Sequence, residues 1–380
     1  MHIHQHHNIF LRTELNSIFT SLALRLFAFS LITVFIPIYL IKLGYSIQTV
    51  FLFFMVASAA HALTAYPAAK LAAKFGYKHL MVLSTPFSIL FYLMLHSLEK
   101  ITAAGITVLI IPIIGGISFC LYWVGYHADF AKSTKNKSAG KAIGSAKIVG
   151  SLAVALGPIT GAYLLTKTDF ATVFLISIMI LVLSMIPLLL RKDKHEKINL
   201  SIIEGIKKSK FKRKDTIASA GYGIELAIAS VVWPVYIFYN ILDQKFTTLG
   251  LLYTISLLFS ILVTYIVSRK IDKKINLFYR ASIIINTIIW SIKIFLKSTI
   301  GVFIADSVHN ASKTTTNMGF NKFCYSNARK KQTLCYIATR EFTLNSAYSL
   351  TFLTLSFMTS YFWMFMLAIL GSLMFLVYKK

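Results

Sequence analysis

The residues best suited to chemistry are concentrated in one short stretch of the C-terminal third of the chain. Asp306, His309 with its neighbour Asn310, Lys313 and Asn317 recur at intervals of three or four, which places them on one helical face. Asp and His exchange protons, and Lys supplies countercharge. The pattern favours a site for a charged solute or a proton. The alternative is a structural network of Asp306 and Lys313 that packs against a neighbouring helix.

A metal site is not expected in this stretch, because Lys313 would repel a cation. The histidine-rich N-terminal tract, His2–His7, is interpreted as a solvated tail, with metal binding as the alternative. The three cysteines, Cys120, Cys324 and Cys335, are odd in number and predict neither a disulfide framework nor a metal cluster.

Two further charges interrupt apolar stretches that are long enough to cross a membrane, where a charge is costly. Arg25 and Glu225 occupy nearby depths in their stretches, so we expect them to face each other. They would form a gate pair, or bind an anionic and a cationic group of a solute. The alternative for Arg25 is a position near the membrane interface, with its guanidinium reaching water.

The remaining polar and aromatic candidates each have two interpretations. Tyr122, Trp123 and Tyr126 would form an aromatic wall for an organic solute, or part of an interfacial belt. Lys147 and the adjacent pair Arg340 and Glu341 would be latches between two parts of the protein, or solute contacts. His61 stands alone and is expected to be a hydrogen-bonded packing residue, with a proton relay as the alternative.

Motifs of enzymes are missing from the sequence. It contains no His-Glu-x-x-His, no Gly-x-Ser-x-Gly and no phosphate-binding Gly-x-x-x-x-Gly-Lys-Ser/Thr. We therefore expect no enzymatic activity, no ATP drive within this chain and no cofactor.

The elements that position these residues follow from composition. Of 380 residues, 57% are hydrophobic and 14% charged, against about 45–50% and about 25% in soluble domains. This predicts an all-α polytopic membrane protein with twelve transmembrane helices, here called segments 1 to 12. They cover 18–40, 46–67, 79–97, 102–127, 142–166, 170–190, 216–241, 248–268, 277–297, 299–320, 333–357 and 360–378.

The charges predict sidedness. The chain has 39 Lys and Arg against 13 Asp and Glu, a net charge of +26. Most of the basic residues fall at the two termini and the even-numbered connections, while the odd-numbered connections hold Lys42, Lys100, Lys167, Lys245 and Lys297. By the positive-inside rule both termini are cytoplasmic in a multi-pass protein of the cell (inner or plasma) membrane. The basic face then meets anionic lipid headgroups, and nucleic acid binding has no specific support.

The chain also divides into two similar parts. Segment 1 ends in Phe35-Ile36-Pro37-Ile38-Tyr39, and segment 7 contains Val232-Trp233-Pro234-Val235-Tyr236. We expect an N-terminal half at 1–190, a basic cytoplasmic linker at 191–215 and a C-terminal half at 216–380. The halves would be two pseudo-symmetric six-helix bundles.

With these features the sequence resembles the major facilitator superfamily over nearly its whole length. The family's loop between segments 2 and 3, Gly-x-x-x-Asp-Arg-x-Gly-Arg-Lys, corresponds to 69–78, which keeps Lys74, Gly76 and Lys78. The acidic position is Ala73 here, whereas the second half keeps Asp272. The resemblance implies that these residues belong to a latch on the cytoplasmic gate, and the loss at Ala73 weakens the first-half latch.

Segment 5 carries a second resemblance. Gly157, Pro158 and Gly161 match the Gly-Pro-x-x-Gly segment of drug antiporters in the superfamily, and the alternative is a packing helix with small residues. Segment 4 has no basic residue between Val108 and Tyr126, which argues against proton-driven drug efflux of that kind.

The resemblance implies a monomeric secondary transporter that moves a small organic solute by alternating access, with segments 1, 4, 7 and 10 lining the cavity. Coupling to protons through Asp306 or Glu225 is left open. A sensor or scaffold on the same fold is the alternative function, and an intramembrane enzyme is a poorer third.

Overall fold

The computed structural model of the chain describes residues 2–98, 107–133, 139–190, 193, 204, 207, 209–330 and 332–378. Every regular element in these residues is helical. The all-α prediction is therefore confirmed for the described part of the chain.

Segments 1 to 6, called the N-terminal half below, follow the predicted order. Segment 1 comprises helices His2–Ser30 and Ile36–Lys42, joined by a 3-10 turn at Thr33–Phe35. Segments 2 to 5 are Ile47–Phe75, Tyr77–Ser97, Thr107–Ser133 and Ala139–Lys167. Segment 6 comprises Phe170–Leu183 and Ile186–Leu189.

Segments 7 to 12, called the C-terminal half, show two departures from regular helices. Segment 7 comprises Arg213–Ala227, a π-helical stretch at Ile228–Val232, and Trp233–Asn240. Segments 8 and 9 together cover Phe246–Lys293 and are two helices that meet at Lys274, where the backbone is not helical. Segments 10 and 11 are Thr299–Arg329 and Thr333–Ser356, and segment 12 is Tyr361–Leu373 with a 3-10 turn at Met374–Val377.

The helices have the length and surface of a multi-pass membrane protein. Within the described residues, nine of them are long and apolar enough to cross a bilayer, namely those of segments 1 to 9. Segments 10 and 11 are long but carry many polar residues, and segment 12 is shorter. Large apolar side chains such as Leu63, Leu262 and Ile300 are exposed on the outside of the bundle, where lipid would cover them.

The two halves pack together through segment 2 against segment 11 and segment 5 against segment 8. The Thr254 hydroxyl of segment 8 donates to the Ala155 carbonyl of segment 5 at 2.6 Å. Close approach there depends on Gly250, because a Cβ at this position would lie 2.6 Å from the Pro158 carbonyl oxygen. Small residues thus bring helices of different halves into backbone contact.

The halves touch at both ends of the bundle. At the end where the odd-numbered connections lie, called the far end, Phe352 of segment 11 packs against the rings of Phe51 and Phe54 of segment 2. At the opposite end, called the basic end, the hydroxyls of Tyr66 and Thr339 are hydrogen-bonded at 2.8 Å. The described helices of the two halves are therefore in contact at both ends of the bundle.

Candidate functional site

The C-terminal half holds an ion pair that is almost completely buried. Lys293 Nζ of segment 9 lies 2.6 Å from Asp306 Oδ1 of segment 10. The Trp233 indole of segment 7 donates to both Asp306 oxygens, at 2.9 and 3.0 Å. Asp306 therefore pairs with Lys293 of the neighbouring helix and not with Lys313, so the predicted Asp306–Lys313 network is not the one that forms.

Two indole rings enclose the Lys293 ammonium. Its Nζ lies 4.2 Å from the centre of the Trp233 ring and 4.6 Å from that of Trp290. Buried cation–π contacts of this kind contribute about 2 kcal/mol. These contacts offset part of the cost of burying the lysine charge inside the bundle.

The unusual backbone of segment 7 places Trp233. A π-helical stretch ends at Val232, and Trp233 begins the next helix with Pro234 in its first turn. Such bulges shift the register of the helix and are frequent at functional sites. They redirect a side chain, which here carries the indole to Asp306.

Glu225 of segment 7 is fully buried and bound by neutral donors. Its Oε1 accepts from Asn286 Nδ2 at 3.0 Å and from the Trp290 indole at 3.4 Å. Asn286 also donates to Ser372 and accepts from Ser312. Trp290 contacts both Glu225 and Lys293, and Lys293 is paired with Asp306. Glu225 and Asp306 therefore belong to one polar network across segments 7, 9, 10 and 12.

The rest of the segment 10 face surrounds this network. The His309 ring meets Trp290 edge-on at 5.0 Å, and the Asn317 amide donates to Tyr222 at 3.4 Å. Lys313 interacts electrostatically with Glu225 and Asp306 but forms no ion pair within the described residues, and like Asn310 it is partly exposed. The network thus presents one accessible cation.

Arg25 lies in the N-terminal half and does not meet Glu225. Its guanidinium donates to Thr85 at 3.2 Å and to Ser88 at 2.9 Å, both on segment 3. It also stacks on the Tyr122 ring at 4.2 Å. The predicted pairing with Glu225 is therefore wrong for this conformation, because each charge points to the third helix of its own half. The interfacial alternative fails too, since Arg25 is 1% exposed.

The segment 4 aromatics form a column inside the bundle. Tyr122 and Tyr126 stack at 6.1 Å, and Trp123 stacks on His127 at 5.4 Å. Tyr122 and Tyr126 are buried, which does not fit an interfacial belt. Through His127 the column reaches the other half of the protein.

Glu341 of segment 11 lies at that contact, within the basic end. Arg340 Nη1 donates to it at 2.9 Å, and Arg340 Nη2 donates to Asn321 at 3.1 Å. His61 Nε2 of segment 2 is 3.2 Å from one Glu341 oxygen, and His127 Nε2 is 3.7 Å from the other. His61 is therefore not the isolated packing residue that the sequence predicts.

The loop between segments 2 and 3 is held by a carboxylate that its own sequence lacks. Asp193 accepts from the backbone N–H groups of Lys78 and His79 at 2.9 and 3.2 Å. Gly76 adopts a φ of +99°, and a Cβ there would collide with Asp193. Lys74 is exposed and lies 5.0 Å from the centre of the Phe75 ring.

Segment 5 uses its small residues for packing. A Cβ at Gly157 would collide with Ser30, and one at Gly161 with the Leu31 carbonyl oxygen. The side chains of Lys147, Asp272 and the N-terminal histidines, and most of the predicted linker, lie outside the described residues. Among the described residues there is no group of three His, Cys, Asp or Glu that could hold a metal ion, and the three cysteines are unbridged.

Sequence reasoning missed several members of the site: Lys293, Trp233, Trp290, Asn286 and His127. Lys293 lies close to the predicted end of segment 9, where a lysine is ordinary. The signal that could have revealed it is a compensating charge, since buried Asp306 requires a cation on a neighbouring helix.

Comparisons with known proteins agree with this architecture. A model of the Major Facilitator Superfamily matches residues 18–328. The structure is similar to the human organic anion transporter MFSD10, with a TM-score of 0.72, 12% identity, and coverage of 97% of this chain and 99% of that one. No curated protein sequence matches the chain significantly.

Two further solved structures are similar. The superfamily transporter FucP in the outward conformation gives a TM-score of 0.72 at 12% identity, covering 96% of both chains. A bacterial homologue of the iron transporter ferroportin, in the outward-facing state, gives 0.70 at 10% identity, covering 96% of this chain and 98% of that one. At such identities the likeness shows the fold.

Proposed function

The chain belongs to the Major Facilitator Superfamily, and we propose that it is a secondary active transporter that moves a small organic solute by alternating access between its two halves. We further propose that it acts as a monomer in the cell membrane, with both termini cytoplasmic. The basic residues at the even-numbered connections support this orientation.

The observation that carries the proposal is the buried network of Glu225, Lys293 and Asp306 with Lys313 beside it. Charges inside a membrane bundle are costly and mark pathways for solutes or ions. The network spans segments 7, 9 and 10, and Lys313 is its accessible cation. A helix bundle needs no such network for packing alone.

The chemistry of the network favours a solute with an acidic group. Lys313 would bind that group, because the other lysine is already paired with Asp306. A basic or amphiphilic part of the solute would meet the aromatic rings and Glu225. Proton coupling would use Asp306 or Glu225, which would gain a proton on one side of the membrane and lose it on the other.

Alternating access would separate the halves at one end while the other stays closed. Opening the far end requires Phe352 to leave Phe51 and Phe54. Opening the basic end requires the hydroxyls of Tyr66 and Thr339 to part. Both sets are small contacts between halves, which suits a reversible motion.

The proposal is tested by measuring solute-induced currents in proteoliposomes, with a panel of zwitterions, organic anions and amphiphilic cations. We expect Lys293→Met to reduce the response to the active solute at least about tenfold, because it leaves Asp306 buried without its cation. Lys297→Met is the matched control, since Lys297 follows the same helix four residues later in an exposed position.

Three results would contradict the proposal. One is a folded Lys293→Met protein with the full response of the unmodified protein. Another is an equal loss of the solute response in Lys293→Met and Lys297→Met. The third is tight solute binding without any flux, which would identify a sensor on the transporter fold.

A further inference from the structure

Two histidines of the N-terminal half meet a single carboxylate of the C-terminal half. His61 Nε2 lies 3.2 Å from Glu341 Oε2, and His127 Nε2 lies 3.7 Å from Glu341 Oε1. All three residues are buried: His61 is 6% exposed, His127 8% and Glu341 3%. None of these side chains belongs to the solute site proposed above, so their burial together requires another explanation.

Among the described residues, Arg340 balances the charge of Glu341 while both imidazoles are neutral. Arg340, hydrogen-bonded at 2.9 Å, is the fixed counterion of the carboxylate. His127 Nδ1 is hydrogen-bonded to the Tyr325 hydroxyl at 2.6 Å. The other titratable groups that interact with Glu341 are Cys120, Tyr222, Cys324 and Tyr325. A proton on either histidine therefore adds a cation directly against the carboxylate.

The cluster bridges the two halves at the basic end. His61 is on segment 2, His127 on segment 4 and Glu341 on segment 11. The Tyr66–Thr339 hydrogen bond joins segments 2 and 11 on the basic side of the cluster. When the halves separate at this end, both histidines must leave Glu341.

We propose that Glu341, His61 and His127 form a proton-binding site whose proton holds the basic end closed. The attraction between an imidazolium and Glu341 exists only while the halves are in contact. The closed state therefore binds the proton more tightly than the open state, and by reciprocity the proton favours closure. Histidine takes up its proton between about pH 5 and 8, so release accompanies opening at this end.

The inference rests on the alternating access proposed above, but it is tested without any solute. Spin labels at Lys74→Cys and Lys330→Cys, both exposed at the basic end on different halves, report the opening. The background carries Ser in place of the three buried cysteines. The distance between the two labels is measured by pulsed electron paramagnetic resonance in lipid nanodiscs from pH 8.0 to 5.5.

We expect acid to shift the distance distribution toward the short, closed population. The ratio of closed to open protein should change about tenfold, as expected when one state binds a proton ten times more tightly than the other. In His61→Gln/His127→Gln the pH response should flatten, and each single variant should reduce it. His96→Gln, in the same half but at the far end, should leave the response unchanged.

Three outcomes would overturn the inference. One is that the double variant keeps the full pH response. Another is that acid opens the basic end, as it would if the proton bound Glu341 and removed its attraction to the histidines. A distance that does not depend on pH in the unmodified protein also overturns it. In each case the solute currents decide separately whether the protein is a transporter.

Discussion

Gly76 shows how one residue determines a turn. Its φ of +99° is a conformation that side chains with a Cβ rarely adopt, and the position of that Cβ is already occupied by the Asp193 carboxylate. Gly44 has a similar φ of +90°, yet nothing lies within 4 Å of its Cβ position. A substitution at Gly44 would therefore test backbone strain alone, whereas one at Gly76 would add a collision with Asp193.

We expect Gly76→Ala to destabilise the protein more than Gly44→Ala. Backbone strain of this kind costs about 1–3 kcal/mol, and Gly76→Ala adds displacement of Asp193 from the backbone N–H groups that it binds. Thermal unfolding in detergent measures the stability of both variants. In an Asp193→Ala background the difference between the two variants should shrink. An equal loss in both variants, with or without Asp193, would contradict this view of the turn.

The residues that sequence periodicity predicted and those that it missed differ in one respect. The segment 10 face, from Asp306 to Asn317, is a property of one helix and follows from spacing alone. The partners Lys293, Trp233 and Trp290 are on other helices, and their contacts depend on how the helices pack. No pattern within a single helix contains that information. Asp193 was missed for the same reason, because it reaches the loop at Gly76 from a distant part of the chain.

At the scale of helices, the two halves repeat a polar contact with different chemistry. The first helix of each half carries a buried charge that is bound by the third helix of that half. Arg25 donates to Ser88 in the N-terminal half, and Glu225 accepts from Asn286 in the C-terminal half. The two halves thus use the same pair of helices to bind a buried charge of opposite sign. The sequence prediction placed the two charges opposite each other, whereas each is bound within its own half.

Helix boundaries also follow local chemistry. Asp169 precedes segment 6, and its carboxylate accepts from the Thr172 backbone N–H at 2.8 Å as an N-cap. This hydrogen bond holds the pKa of Asp169 below its usual value. The charged cap therefore stabilises the fold above the ordinary Asp pKa of about 3.9, and its contribution is lost as the pH falls through the lower pKa of the folded state.

We expect Asp169→Ala to reduce the free energy of unfolding by about 1 kcal/mol, a fall of about 1–2 °C in Tm. Asp169→Asn keeps the acceptor without the charge and serves as the matched control. The Tm difference between the unmodified protein and Asp169→Asn should be present at neutral pH and vanish in acid. A difference that grows as the pH falls would have the wrong sign for this cap.

At the scale of the whole molecule, the described halves are in contact at both ends of the bundle. The far end is closed by aromatic rings, Phe51 and Phe54 against Phe352. The basic end is closed by hydrogen bonds and the Glu341 cluster. The contact at the basic end contains His61 and His127, and histidine is the side chain that changes charge near neutral pH. The aromatic contact at the far end consists of phenylalanines, which do not titrate. A proton gradient would therefore act on the contact at the basic end and leave the aromatic contact to packing.

Weakening the aromatic closure should shift the balance between the two ends. Phe352→Ala removes a fully buried ring from both Phe51 and Phe54. Burial of such a ring contributes about 3–5 kcal/mol, and about 5.5 kcal/mol reverses a population from 1:99 to 99:1. We therefore expect a large rise in the population that is open at the far end, with the basic end still closed.

Spin labels at Ser46→Cys and Ser360→Cys, exposed beside segments 2 and 12, measure the far end, and the Lys74 and Lys330 labels measure the basic end. Phe357→Ala is the control, because Phe357 ends the same segment with 81% of its surface exposed. In a molecule whose halves rock, the far-end distance lengthens while the basic-end distance stays short. If both distances lengthen together, the halves dissociate instead of rocking, since alternating access requires that one end remain closed while the other opens.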